Sequence, residues 1–254
     1  MKTGILLLHG FTSDERSVDK LLLIAQELGY QTEAPRLRGH GLHYRDLYGK
    51  RWEHWREDVR QGYQLLRERV DQVVVVGFSM GGLLALELAA QPDVELAGVA
   101  ALAPATHIAH PLAPIAWMAR GWYRFLPMGK SVGYSDPDLA IADDSYPRLA
   151  TDAFVSFYRA SRRIRRVLPQ ISAPLLLIHS RRDRVIKPCS SQFAFDQVKS
   201  VTKELIWLEQ SGHAMLDDIE ADTVVAHVRN FLLRFIEAPL QSVGRHEART
   251  FSPA

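Results

Sequence analysis

The chain has 254 residues, 47% of them hydrophobic and 24% charged, with a formal net charge of +2. That length suits one α/β domain with a sizeable core, which excludes a wholly disordered chain; the charge is too small to argue for a nucleic-acid partner. The longest apolar runs, such as Ile5–Leu8 and Val73–Val76, fall far short of the ~20 residues that cross a bilayer, so no integral membrane span is expected. One cysteine, Cys189, excludes an internal disulfide and fits a reducing compartment. The start, Met1-Lys2-Thr3-Gly4, runs straight into a core-like strand rather than a secretory leader, and a cytoplasmic protein, or a mature form whose leader is missing, is expected.

In chain order, Ile5–Leu8 reads as a first buried strand, Ser17–Leu28 as a helix and Gln31–Ala34 as a weaker strand. Trp52–Val70 is helical, Val73–Val76 a strand, Met80–Ala90 a helix and Val99–Leu102 a strand. After a long interruption, Leu175–Ile178 and Leu205–Leu208 read as strands buried on both faces, with helices at Ser190–Lys199 and Asp217–Ile236. Uninterrupted apolar strands alternating with helices predict a mostly parallel sheet of about six strands with helices on both faces. The interruption, 105–165, contains no buried-strand run, is chopped by prolines, and holds 9 of the 23 aromatics in 61 residues. So much aromatic surface outside the sheet calls for packing, and a helical lid over the sheet would bury it while lining an apolar pocket. The expected organisation is a core of 1–104 and 166–238, a lid at 105–165, and a disordered tail at 239–254, where apolar periodicity is lost.

Within that frame, Gly77-Phe78-Ser79-Met80-Gly81 directly follows one strand and directly opens a helix. A bare Gly-x-Ser-x-Gly arises by chance often; in this setting it is a sharp turn that holds a serine exposed at the carboxyl edge of a sheet. Ser79 is therefore the candidate nucleophile. A tetrahedral intermediate needs two oxyanion donors, and the candidates are the backbone N–H of Met80 and that of Phe11, in His9-Gly10-Phe11 after the first strand. His9 itself reads as structural. The orienting acid is Asp183, on the loop after Leu175–Ile178; Asp196, Asp217 and Asp218 are rivals, explained by solvated helix faces and caps. The base is His213, preceded by Gly212 on the loop after the last strand. His179 suits packing at a strand end, His107 and His110 fall in the lid segment, and His227 fits a helix.

His40 and His43, like His107 and His110, are three apart, but no third ligand or His-Glu-x-x-His pattern accompanies them, so no metal site is expected. The arginines at 159, 162, 163, 165 and 166 read as a solvated helix face rather than an anion site.

Together these residues resemble the small bacterial carboxylesterases and monoacylglycerol lipases of the α/β-hydrolase superfamily. The likeness is carried by Leu8-His9-Gly10-Phe11-Thr12, Arg38-Gly39-His40-Gly41, Trp55-Arg56-Glu57-Asp58-Val59, Gly77–Gly82, and the Asp183 and His213 loops. It implies an α/β-hydrolase fold and cofactor-free hydrolysis of a small-molecule ester, short- to medium-chain or a monoacylglycerol, through an acyl-enzyme on Ser79. The superfamily's first two strands are missing ahead of Ile5, which points to a reduced sheet. Thioester, lactone or carbon–carbon bond hydrolysis by the same three residues stays open, as does a non-catalytic small-ligand receptor. Oligomeric state is not written in the sequence.

Overall fold

A computed structural model of the chain describes residues 1–119, 122–142 and 145–235. The tail assigned to 239–254 lies outside the described residues. Six strands form one sheet: β1 (Thr3–Leu8), β2 (Gln31–Glu33), β3 (Gln72–Phe78), β4 (Gly98–Leu102), and the two that follow the interruption. Between them run α1 (Asp19–Glu27), α2 (Trp52–Arg67) and α3 (Met80–Ala89). The interruption contributes α4 (Ala116–Ala119), β5 (Phe125–Pro127), β6 (Arg148–Ala150) and α5 (Thr151–Ile164). The chain then completes the core with β7 (Leu175–Ser180), α6 (Cys189–Gln197), β8 (Lys203–Leu208) and α7 (Ala221–Leu233).

The sheet order is β2-β1-β3-β4-β7-β8 and every neighbouring pair is parallel. Period-two side-chain direction divides each central strand between two cores. Leu6, Leu8, Val73, Val75, Val99, Ala101, Leu175 and Leu177 face Trp52, Trp55 and Leu83. Ile5, Leu7, Val74, Val76, Ala100, Leu102, Leu176 and Ile178 face Leu21, Val224 and Phe231. Burial on both faces is why these strands read as continuous apolar runs; each fully buried Leu, Ile or Val is worth about 1.5–3 kcal/mol relative to exposure. β8 departs from the expectation. It is an edge strand, and Leu205, Ile206 and Trp207 are only half-buried.

Pairing register aligns the carboxyl ends. Leu8 sits opposite Gly77, Phe78 opposite Leu102, Leu102 opposite Ile178, and Ser180 opposite Leu208. The loops that leave β1, β3, β7 and β8 therefore emerge at one rim.

The segment 105–165 is not purely helical. Its helical turns before α5 are short, and β5 and β6 form an antiparallel ribbon that no buried run announced, because each strand is three residues long and only Ala150 in them is buried. Nor does it bury all its aromatics: Trp117, Trp122 and Tyr123 are exposed, Trp122 at 87%. Its last part behaves differently. α5 buries Ala153, Phe157, Ala160 and Ile164 in the same cluster as α2 and α3, with the Phe157 and Trp52 rings stacked 6.0 Å apart. The arginine face is also more than solvated. Arg163 pairs with the buried Glu87 of α3 at 2.9 Å, and Arg165 donates to the Thr106 carbonyl at 2.7 Å.

Candidate active site

The elbow between β3 and α3 is made by close backbone approach. A Cβ at Gly77 would lie 2.2 Å from the Gly81 carbonyl oxygen, and one at Gly81 would lie 2.1 Å from that of Leu8. No side chain fits either place. Ser79 itself has φ 56° and ψ −113°, a left-handed conformation that costs a non-glycine residue of the order of 1–3 kcal/mol and is held by the packing around it. Its own N–H donates to the Leu102 carbonyl at 2.8 Å, which ties the turn to β4. The strain aims the hydroxyl out of the sheet at the N-terminus of α3, where the helix dipole favours negative charge.

The rim loops converge there. His213 Nε2 lies 2.9 Å from Ser79 Oγ, and His213 Nδ1 lies 2.7 Å from Asp183 Oδ2. Asp183 is buried, and its Oδ1 accepts from the amides of Val185 (2.8 Å) and Ile186 (2.9 Å). Burial pushes the Asp183 carboxyl up, but the charge of His213 and hydrogen bonds from His179 and His213 outweigh it and hold it well below the usual carboxylate range. It is thus an ionised acceptor for the imidazole N–H. The Phe78 ring lies 5.1 Å from that of His213.

The His9-Gly10-Phe11 loop packs beside the elbow: a Cβ on Gly10 would stand 3.5 Å from Ser79 Cβ. Among the described residues, neither the Phe11 nor the Met80 amide has a hydrogen-bond acceptor; Met80 opens α3, and the first turn of a helix leaves its N–H groups open. His9 braces this loop, its Nδ1 bonding the Gly10 carbonyl (2.9 Å) and its Nε2 accepting from the Leu37 amide (3.1 Å).

The rival residues are engaged elsewhere. Asp196 accepts from Gln192, and Asp217 pairs with Lys20 at 2.9 Å. The His43 side chain accepts from Arg45 N–H, while His107 Nδ1 meets Thr106 Oγ1 and His110 Nδ1 accepts from the Leu112 amide. Among the described residues, no three His, Cys, Asp or Glu side chains converge as metal ligands. A groove of about 730 Å³ lined by Glu53, Arg60, Glu87 and Arg163 lies between α2, α3 and α5; none of Ser79, Asp183 and His213 lines it.

A family model described as serine aminopeptidase, S33, matches residues 1–220. The chain belongs to this family. Among relatives of this S33-family chain is a thermostable monoacylglycerol lipase of Bacillus sp. (strain H-257), 30% identical over 233 residues and aligned over 91% of this chain and 90% of that protein. A carboxylesterase of Bacillus subtilis (strain 168) is 27% identical over 90% of this chain and 92% of its own length. The structure of a metagenome-derived lipolytic enzyme superposes with a TM-score of 0.84 at 26% identity, covering 92% of this chain and 94% of the other. The fold is that of the α/β-hydrolases, with the reduced six-stranded sheet.

Reading residues alone missed part of what surrounds the S33-family site. His179, read as packing, places Nε2 3.2 Å from Asp183 Oδ2; the signal was its position four residues before the acid at the end of a strand. Asp218, read as a helix-start acid, is buried and accepts from Gly212 N–H (2.5 Å) and from Ser135 N–H (2.7 Å) of the insertion. The Ala214 amide donates to the Gly133 carbonyl at 2.8 Å, so residues 133–135 clasp both flanks of His213. Glu220 accepts from the amides of Gln210 and Ser211. No local pattern ties a carboxylate five or seven residues beyond His213 to that loop; only the folded turn does.

Proposed function

We propose that the chain hydrolyses carboxylic esters of short- to medium-chain acids, monoacylglycerols included, through an acyl-enzyme on Ser79. The observation that carries this reading is the hydrogen-bonded series Ser79 Oγ, His213 Nε2, His213 Nδ1 and Asp183 Oδ2, at 2.9 and 2.7 Å, beside two amides without acceptors. Ser79 Oγ attacks the ester carbonyl while its proton passes to His213 Nε2. Asp183 keeps the other imidazole proton on Nδ1 and stabilises the imidazolium that forms. The Phe11 and Met80 N–H groups hold the oxyanion, a contribution of about 3–4 kcal/mol per donor in sites of this kind. Collapse of the intermediate expels the alcohol, which takes the proton from His213. Water, deprotonated by the same imidazole, then cleaves the acyl–serine bond and releases the acid.

The ester rather than the peptide reading is supported by the names of both Bacillus relatives. A cytoplasmic location is part of the same proposal, supported by a single exposed cysteine and no disulfide; no described helix is long and apolar enough to cross a membrane. Ser79→Ala is expected to lower turnover of a nitrophenyl ester by a factor on the order of 10⁵ with an unchanged unfolding transition. A fully active variant ends the proposal. A chain-length series of nitrophenyl and glyceryl esters, run beside an aminoacyl nitroanilide, fixes the substrate class; faster cleavage of the anilide would redirect the reading to a peptidase.

A further inference from the structure

We propose that His179, backed by Ser191, is a positioning residue that presents a second imidazole to the Asp183 carboxylate and so sets the orientation of His213. The proposal rests on the ester-hydrolase reading above and extends it from three side chains to five. His179 is fully buried at the end of β7, and Ser191 is fully buried in the first turn of α6. His179 Nε2 stands 3.2 Å from Asp183 Oδ2, with the Ile186 carbonyl at 3.3 Å as a lesser neighbour, and His179 Nδ1 stands 2.7 Å from Ser191 Oγ.

The proton positions follow from which groups can donate. An ionised carboxylate only accepts, so both imidazoles facing Oδ2 must present an N–H: Nδ1–H from His213 and Nε2–H from His179. His179 Nδ1 is then an acceptor, and the Ser191 hydroxyl supplies its proton. Donation therefore runs from Ser191 to His179 to Asp183 on one side, and from His213 to the same Asp183 oxygen on the other.

The geometry gives this a purpose. The Val185 and Ile186 amides fix Oδ1 alone, which leaves the carboxylate free to pivot about that oxygen. A second donor on Oδ2 removes the pivot, and with it the slack in the imidazole that must meet Ser79. Burial alone demands a partner for each ring nitrogen; what sets His179 apart is that one partner is the same Asp183 oxygen that His213 uses.

His179→Phe fills the space without a donor and is expected to lower kcat for a nitrophenyl ester about tenfold with KM within about twofold, since the residue meets no substrate. His179→Gln, whose amide N–H reaches the Nε2 position, is expected to recover kcat to within about threefold of wild type, and Ser191→Ala to lose about threefold. In protein carrying ¹⁵N-labelled histidine, the proton of His179 is expected on Nε2. His179→Gln should remove that signal and Ser79→Ala should keep it. A wild-type kcat in folded His179→Phe overturns the proposal, as does a proton on Nδ1 of His179 in the wild-type protein. Should His179→Phe not fold, Ser191→Ala and the wild-type spectrum decide: a wild-type kcat in the serine variant overturns the proposal. Fluorophosphonate labelling separates the two layers. Wild-type protein that is neither labelled at Ser79 nor active on esters refutes the ester-hydrolase reading and this proposal with it. Labelled, active protein indifferent to His179→Phe refutes the role of His179 alone.

Discussion

The rim of the sheet and the outer part of the insertion are built to opposite specifications. At the rim, Asp183 receives two amides and two imidazoles, Gly77 and Gly81 leave no room for a Cβ, and Ser79 is held in a strained conformation. Across 112–141, by contrast, Leu112, Ile115, Trp117, Met118, Trp122 and Ile141 are exposed, and the helical turns are only three or four residues long. One region is over-determined by mutual contacts; the other meets few. The difference teaches that the rim is constrained residue by residue, whereas the exposed side chains of 112–141 meet few neighbours that would constrain them. Asp218 joins the two, since one carboxylate oxygen serves the His213 loop and the insertion together.

That contrast can be broken by substitution. The largest effect is expected from Asp183→Asn, which offers an amide where His213 needs an acceptor: kcat should fall by about 10⁴. Steady-state kinetics against a nitrophenyl ester check it, and a loss below tenfold would mean the rim is less constrained than its contacts imply. Next comes Gly81→Ala. The new methyl meets the Leu8 carbonyl, and the variant is expected to lose about 3 kcal/mol of stability, roughly 10 °C in Tm, or not to fold. An unchanged melting temperature would show that the elbow has slack.

A smaller effect is expected from pH. His107 is pushed down to about 4 by burial, with Arg165 and Lys187 adding to it. Between the ordinary histidine value near 6.5 and that value, the unfolded chain binds more protons than the folded one, so stability present above about pH 6.5 declines as pH falls towards 4. Asp183, held below the usual carboxylate range, adds a further loss below about pH 4, because the unfolded carboxyl protonates first. Thermal melts from pH 8 to 3 should show both, and His107→Gln should flatten the upper part only by its own share, because burial also lowers His9 and His40. An unaltered upper part in that variant would remove His107 from the account. The smallest effect belongs to Trp122→Ser in the insertion, expected to leave stability within about 0.5 kcal/mol. A large destabilisation there would show that this region packs more tightly than its exposure indicates.

Most of the sheet was legible because its strands are short, apolar on both faces, and separated by helices with strong periodicity. Ser79, Asp183 and His213 stood out for a related reason: each lies on the turn or loop that leaves a strand's carboxyl end, and the parallel order brings strand ends to one rim. β8 was misread because an edge strand and a central one carry the same apolar residues. The β5–β6 ribbon and the exposed Trp117, Trp122 and Tyr123 were not legible, since three-residue strands lack a readable period and aromatic content does not say which side of a loop meets solvent.

What the sequence determined by itself was therefore local: which stretches are strand or helix, and which serine stands where a strand must turn sharply into a helix. Tertiary structure alone decided the partnerships, namely His179 on Asp183, Asp218 between the His213 loop and the insertion, and α5 within the core. The physical reason is that hydrogen bonds and packing act over a few ångströms in space, while the groups they join can lie far apart along the chain, 134 residues for Ser79 and His213.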